Sequence, residues 1–319
     1  MRKLLLLCLT VGTVLTAAAQ KRHWGRYEKA GEPTVYIISV KEPDMTAKGG
    51  ELVDAKALAH QRSVDAKAAI SDHRKANRTG FQSVAEPSLI FTTNYNRVSF
   101  AFGGFVAMRA SYSFDDAVNN IDMVPYDVPI ASSFASRQAL GMDATTSRIY
   151  MRTIINPKHC NHPIVIYFDS DFRGGAEGSY MPRLRSGYVS IAGLTFGRDV
   201  TTFCDLNAAP TTIDFQGPNA YNFNFSTVIR YEIPFLNNHM KAGVAAELPA
   251  VSGSYGETFV SVPQRVPDFP IYLQYMWGKH RQSHIRASAV LRNMYLYNDA
   301  RQTTTDLFGW GVQFSGNIH

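Results

Sequence analysis

From about Pro87 onward, apolar and polar residues alternate one for one through segment after segment of this chain. In Arg97 to Ala110, Val98, Phe100 and Phe102 alternate with Ser99, Ala101 and Gly103. Arg148, Tyr150 and Arg152 alternate with Ile149, Met151 and Thr153 in Arg148 to Ile155. In Ile164 to Phe172, Ile164, Ile166 and Phe168 oppose Tyr167, Asp169 and Asp171. Val228 to Ile233, Met240 to Leu248 and Ser283 to Asn293 repeat the pattern, with Arg230, Glu232, Lys241, Glu247, Arg286 and Arg292 on the polar side. Successive side chains of a strand point to opposite faces, so each segment reads as a strand with one apolar and one charged face.

Length separates two architectures that share this pattern. Segments of roughly 9–12 residues match membrane-spanning strands better than the ~5–6 residue strands of soluble sheets. A soluble sandwich or large antiparallel sheet would also carry a polar outer face. Two details favour the membrane. Charges recur in mid-strand, as a water-filled lumen requires, and aromatics such as Tyr95, Phe114, Tyr188, Phe235, Tyr272, Trp277, Tyr295 and Tyr297 gather near strand ends, as an interfacial girdle requires. The fold class expected is all-β, an antiparallel up-and-down transmembrane barrel over residues 86–319.

The segment before the barrel has a different character. Arg2 and Lys3 precede an apolar run from Leu4 to Leu15 and the small residues Ala17, Ala18 and Ala19, the layout of a cleaved secretory signal over residues 1–19. The run is too short to span a bilayer. Cleavage removes Arg2 and Lys3, lowers the net charge from +6 to +4, and leaves Cys160 and Cys204 as the cysteines. Residues 20–85 form an N-terminal periplasmic segment. Within it, an Ala-, Lys- and Asp-rich stretch from about Gly50 to Ala76 predicts one helix, stopped by Asn77-Arg78-Thr79-Gly80. Its apolar positions (Leu52, Ala55, Leu58, Ala59, Ala66, Ala69 and Ile70) make a thin stripe, which suits a solvated helix or linker; strict heptads are absent.

An ordered series of blocks from about Ser147 resembles the dicarboxylate-type, DcaP-like trimeric outer-membrane porins. It runs through Tyr167-Phe168-Asp169-Ser170-Asp171-Phe172, Arg183-Leu184-Arg185-Ser186-Gly187-Tyr188-Val189, Phe196-Gly197-Arg198, Thr201-Thr202-Phe203-Cys204-Asp205 and Asp214-Phe215-Gln216-Gly217-Pro218-Asn219, and ends at Ile229-Arg230-Tyr231. The resemblance implies a sixteen-stranded barrel in a Gram-negative outer membrane, in contact with its lipid, a loop folded into the lumen, a homotrimer, and passage of small anionic solutes. Cys204 departs from the family's usual residue. Ten to twelve candidate strands can be counted, Leu307 to Phe314 begins a strand left without partners, and the chain ends Ser315-Gly316-Asn317-Ile318-His319 rather than on an aromatic. The expectation is therefore a barrel whose C-terminal strands are missing.

The polar faces supply the candidate site. Arg148, Arg152, Arg183, Arg185, Arg230, Arg286, Arg292 and Lys241 stand against Asp169, Asp171, Glu232 and Glu247, eight cations to four anions. Rings of arginine select anions in pores, and the guanidinium fork binds carboxylates with two hydrogen bonds. The segment Asp199 to Asn222 is too long for a hairpin and reads as either an external loop or an inserted constriction. The resemblance favours the second, with Asp205, Asp214 and Asn219 on the constriction loop and Asp205 and Asp214 facing the arginine wall.

Other constellations carry less. Asp169-Ser170-Asp171 could be a glycosidase pair or the start of a calcium loop, but Arg173 stands where a third ligand belongs. His159-Cys160-Asn161-His162 is dense in metal ligands yet has no partner set elsewhere, so no metal and no cofactor are expected. A Cys160–Cys204 disulfide is left open. No nucleophile elbow or phosphate loop is present, which leaves hydrolysis without sequence support, and no Lys/Arg run suggests nucleic acid. The expected function is a non-enzymatic outer-membrane porin passing small hydrophilic, preferentially anionic, dicarboxylate-like solutes by passive diffusion. The alternatives are a soluble secreted or periplasmic ligand-binding β-protein and an outer-membrane barrel hydrolase.

Overall fold

The computed structural model describes residues 34–38, 55–77, 89–114, 138–176, 178–210, 221–251, 258–278 and 281–318. The described elements are β1 (Thr34–Ile38), α1 (Ala55–Lys75), β2 (Leu89–Thr93), β3 (Val98–Phe105), β4 (Arg109–Ser113), β5 (Ala139–Asp143), β6 (Arg148–Ile155) and β7 (Ile164–Asp171). They continue with β8 (Arg183–Ile191), β9 (Leu194–Val200), β10 (Phe225–Phe235), β11 (Met240–Glu247), β12 (Phe259–Ser261), β13 (Phe269–Trp277), β14 (Ser283–Asn298) and β15 (Thr303–Asn317).

Thirteen strands join in one sheet, ordered β1-β2-β3-β6-β7-β8-β9-β10-β11-β13-β14-β15, with β12 beside the far end of β14. Only β1 and β2 among these neighbours run parallel; β4 and β5 form a separate two-stranded antiparallel sheet. Among the described residues the chain is all-β with one α-helix, and its edges β1 and β15 are not paired with each other. Fifteen described strands exceed the ten to twelve counted from sequence. The excess lies among β2, β4, β5 and β12, of three to five residues each, too short to carry a visible alternation, whereas β1 falls within a β-like run, Thr34 to Val40, that the sequence shows. The strand begun at Leu307 is also corrected: β15 pairs with β14 from Thr303 to Asn317.

The distribution of burial inverts that of a water-soluble sheet. Arg152 and Asp171 are 1% and 0% exposed, whereas Ile229, Trp310 and Phe314 are 61%, 70% and 83% exposed. The pattern holds along each strand: Arg148, Tyr150 and Arg152 are buried while Ile149 is exposed, and Tyr272 and Gln274 are buried while Ile271, Leu273 and Tyr275 are exposed. In water this arrangement forfeits about 25 cal/mol for every Å² of apolar surface left outside. In hydrocarbon the outer face is solvated by lipid and the charges keep the polar interior.

Connections sort by length to the two ends of the sheet. The turns 94–97, 156–163, 192–193 and 236–239 stand at one end, where β13 also gives way to β14; β3, β7, β9 and β11 end at the other, where the turn 299–302 also lies and where the sequence between successive strands is long. Short turns face the periplasm and long loops face outward in barrels of this kind. The tightest turn, Ala192-Gly193, has both residues at positive φ, and a Cβ on Gly193 would stand 2.3 Å from the Glu232 carbonyl oxygen.

Helix α1 lies against the inner face of β2, β3 and β6 at the short-turn end. Ala69, Ile90 and Ala101 form the apolar contact, flanked by Val35 and Ile70. Where its burial is described, over residues 60–77, the most buried positions are Asp65, Ala69 and His73, spaced by four, of which only Ala69 belongs to the stripe read from the sequence. A polar stripe fits because the wall beneath it is polar. The Asp65 carboxylate accepts from the Tyr95 amide at 2.9 Å, Asp72 accepts from Asn96 and Asn156 at 2.8 and 3.2 Å, and His73 Nε2 lies 3.1 Å from Ser99 Oγ. Arg152 donates to the carbonyl of His73 at 2.8 Å and to Asn77 Oδ1 at 3.1 Å, capping the negative end of the helix. The expected solvated helix is thus a docked one, running from Ala55 to Lys75; Leu52 lies outside the described residues.

Candidate functional site: a charged inner wall and an infolded loop

Two clusters of charge occupy the inner wall. The first spans β6, β7 and β8. Arg148 pairs with Asp169, and Asp171 accepts from Arg183 at 2.6 Å and from Arg185 at 2.7 Å. Strand register explains how two arginines reach one carboxylate. Asp169 stands opposite Ser186 and Ser170 opposite Leu184, so Arg185 is the extra residue of a bulge and points inward together with Ser186. Beside this cluster, Tyr150, Tyr167 and Tyr188 form a ladder across the three strands, with centroids 6.2 and 5.2 Å apart and Arg152 over the first two rings.

The second cluster surrounds a cavity of about 300 Å³. Arg230, Glu232, Lys241, Tyr272 and Arg286 line its wall, the loop after β9 closes it through Thr202, Cys204 and Asp205, and Asn77 reaches it from the end of α1. Arg230 bonds Asp199 at 2.5 Å and Lys241 bonds Glu232 at 2.8 Å. The Arg286 guanidinium lies 3.7 Å over the Tyr272 ring, and that ring donates its hydroxyl to Glu232. Tyr272 fits there because Gly243 faces it: a Cβ on Gly243 would stand 2.2 Å from the ring.

The loop beginning at Thr201 folds inward. Glu247 accepts from the Thr201 hydroxyl and the Thr202 amide, each at 2.6 Å, and Arg286 donates to the Thr202 carbonyl. Asp205 Oδ2 is held by His284 Nε2 at 2.8 Å and the Ser315 hydroxyl at 2.6 Å. Burial pushes the Asp205 carboxyl up, but these two partners and nearby Arg286 outweigh it and leave the group below the usual carboxylate range. Burial raises the Cys204 thiol to about 11, so it stays neutral and donates to the Tyr221 hydroxyl at 3.2 Å.

The predicted residues fall as follows. Arg148, Arg152, Asp169, Asp171, Arg183, Arg185, Arg230, Arg286 and Arg292 all stand on the inner face, Arg292 paired with Asp268 at 3.0 Å near the long-loop end. Asp205 is bonded to His284 of β14 and Ser315 of β15, and it lines the same cavity as Arg230 and Arg286. Asp214 and Asn219 lie outside the described residues. Sequence reading missed Asp199, Asp268 and the bridging Tyr272. With Asp199, Asp205 and Asp268 on this face, the balance of named charges changes from eight against four to eight against seven. Asp199 was masked by its place at the end of a short strand, where the pattern reads as loop.

Both described cysteines are free, Cys160 exposed and Cys204 buried, so the disulfide left open by the sequence is not formed. His159, Cys160 and His162 lie in an exposed turn, and among the described residues no three potential ligands come together to hold a metal.

Against known proteins, the family model described as DcaP outer membrane protein matches residues 85–281. Among solved structures, the chain is similar to the outer-membrane channel DcaP of Acinetobacter baumannii, with 19% identity and a TM-score of 0.56. That likeness covers 69% of this chain and 59% of that one, so the chain spans about three fifths of the channel's length. A comparison with curated proteins found no match.

Proposed function

The chain belongs to the DcaP outer membrane protein family, and from that premise we propose that it forms a diffusion channel passing small hydrophilic, preferentially anionic solutes of dicarboxylate type. Export by the residue 1–19 signal and assembly as a homotrimer are part of the same reading. Selectivity comes from the size and charge of the lumen, with no bond made or broken. The observation that carries it is the inverted sheet: apolar side chains cover the outer face, and arginines and carboxylates crowd the inner one. That inversion argues against a soluble ligand-binding sheet, whose outer face is polar. The anionic preference draws support from Arg152 and Arg286, neither of which makes a direct ion pair with a carboxylate among the described residues.

The test is direct. The full-length protein in detergent should migrate faster unboiled than boiled, and in planar bilayers it should conduct with a reversal potential displaced toward that of chloride. Solubility without detergent, no heat-modifiability and no conductance would together overturn the channel reading. Conductance without chloride preference would overturn only the selectivity.

A further inference from the structure

We propose that helix α1 contributes to the anion preference, alongside the wall arginines, through cations that it holds exposed at the periplasmic mouth. This rests on the channel reading above.

The wall is largely self-neutralised. Arg148, Arg183, Arg185, Arg230, Lys241 and Arg292 each contact a carboxylate of the same wall. A solute passing such a pair meets a dipole rather than a charge. Arg152 has no carboxylate partner but lies 1% exposed beneath the helix, bonded to the His73 carbonyl and Asn77. Arg286 is stacked on Tyr272 and tied to the loop at Thr202.

The helix spends its carboxylates on the wall and leaves most of its cations exposed. From Ala55 to Lys75 it carries five cations, Lys56, Arg62, Lys67, Arg74 and Lys75, against two carboxylates, Asp65 and Asp72. Both carboxylates are turned to the wall and occupied there by Tyr95, Asn96 and Asn156. Arg62, Lys67, Arg74 and Lys75 are exposed. Lys67 follows Asp65 by two positions and therefore stands across the helix axis from the docked stripe. Among the described residues no carboxylate pairs with Arg62, Lys67 or Lys75.

Position makes this charge effective. The helix is anchored by Tyr95, Asn96 and Asn156, all at the short-turn end, and Asn77 just beyond it lines the cavity. Docking thus consumes the helix's negative charges and presents its positive ones along the path that a solute takes. Rings of Lys or Arg select anions, and exposed charges act over a Debye length of ~8 Å at physiological salt.

The experiment measures reversal potentials of the full-length protein in planar bilayers under a potassium chloride gradient. Arg62, Lys67 and Lys75 are exposed, so R62Q/K67Q/K75Q leaves the docking contacts intact; retained heat-modifiability and conductance verify this. The chloride-to-potassium permeability ratio should fall about twofold or more toward unity, and R62E/K67E/K75E should invert it. Raising salt should shrink the difference between wild type and variants. A wild-type channel that prefers chloride while the glutamine variant keeps the full preference overturns this inference and leaves the channel reading standing. A conducting wild type without chloride preference overturns the selectivity reading and this inference with it.

Discussion

At the scale of single residues, the inner face is a matter of period two, and its pairing is a matter of register. That Arg183, Arg185, Asp169 and Asp171 share a wall is legible from their spacing. That Arg185 and Arg183 converge on Asp171 is not, because it depends on one bulged residue between β7 and β8. The consequence is a difference in sensitivity between two neighbouring arginines. The Arg185 side chain is 1% exposed and that of Arg183 is 35% exposed, and both hold a carboxylate that is fully buried. Breaking a buried pair from one side costs about 3–5 kcal/mol, because a charge is stranded; an exposed pair is worth about 0–1 kcal/mol. Arg185→Gln should therefore lower the urea midpoint of the folded protein in lipid vesicles markedly, and Arg183→Gln only slightly. Equal effects would mean that the bulge does not bring Arg185 to Asp171.

At the scale of elements, a helix near residues 50 to 76 is legible from alanine content and mixed charge, but its docking is not. Sequence reasoning seeks an apolar stripe, and the buried stripe here is polar because the partner surface is a lumen wall. His73 makes the docking sensitive to pH. Burial first, and Arg152 second, lower its pKa from 6.5 to about 4. A docked group with a depressed pKa binds fewer protons than the undocked one, so docking is favoured above about pH 6.5 and weakens as pH falls toward 4. At about 1.4 kcal/mol for each pH unit between the two values, the loss reaches roughly 3 kcal/mol. Hydrogen exchange, corrected for intrinsic rate, should show amides 65–75 losing protection between pH 7.5 and pH 5. His73→Gln should remove most of that dependence. Protection unchanged at pH 5 in the unsubstituted protein would show that the imidazole is not sealed against Ser99 and Arg152.

At the scale of the whole molecule, the barrel character was legible because alternation alone fixes which residues share a face. The strand count was not, since β2, β4, β5 and β12 are too short to register and the edges depend on pairing that no local pattern encodes. What the sequence left open between membrane and water is decided by which face looks outward, and a single substitution tests it. Leu273 stands in the middle of β13, opposite Ala242 and Ala287, and is 46% exposed on the outer face. In a soluble sheet a charge there would meet water, and the change would fall within about ±0.5 kcal/mol. At the midplane of a bilayer, Lys or Arg on the lipid face costs about 2–4 kcal/mol. Leu273→Lys should accordingly destabilise the protein by that amount in vesicle-based urea titrations. Gln274→Lys, one residue along and facing the cavity, escapes the lipid penalty because its charge enters the lumen. A Leu273→Lys protein as stable as the parent would place the apolar face against something other than hydrocarbon, and the membrane assignment would fall with it.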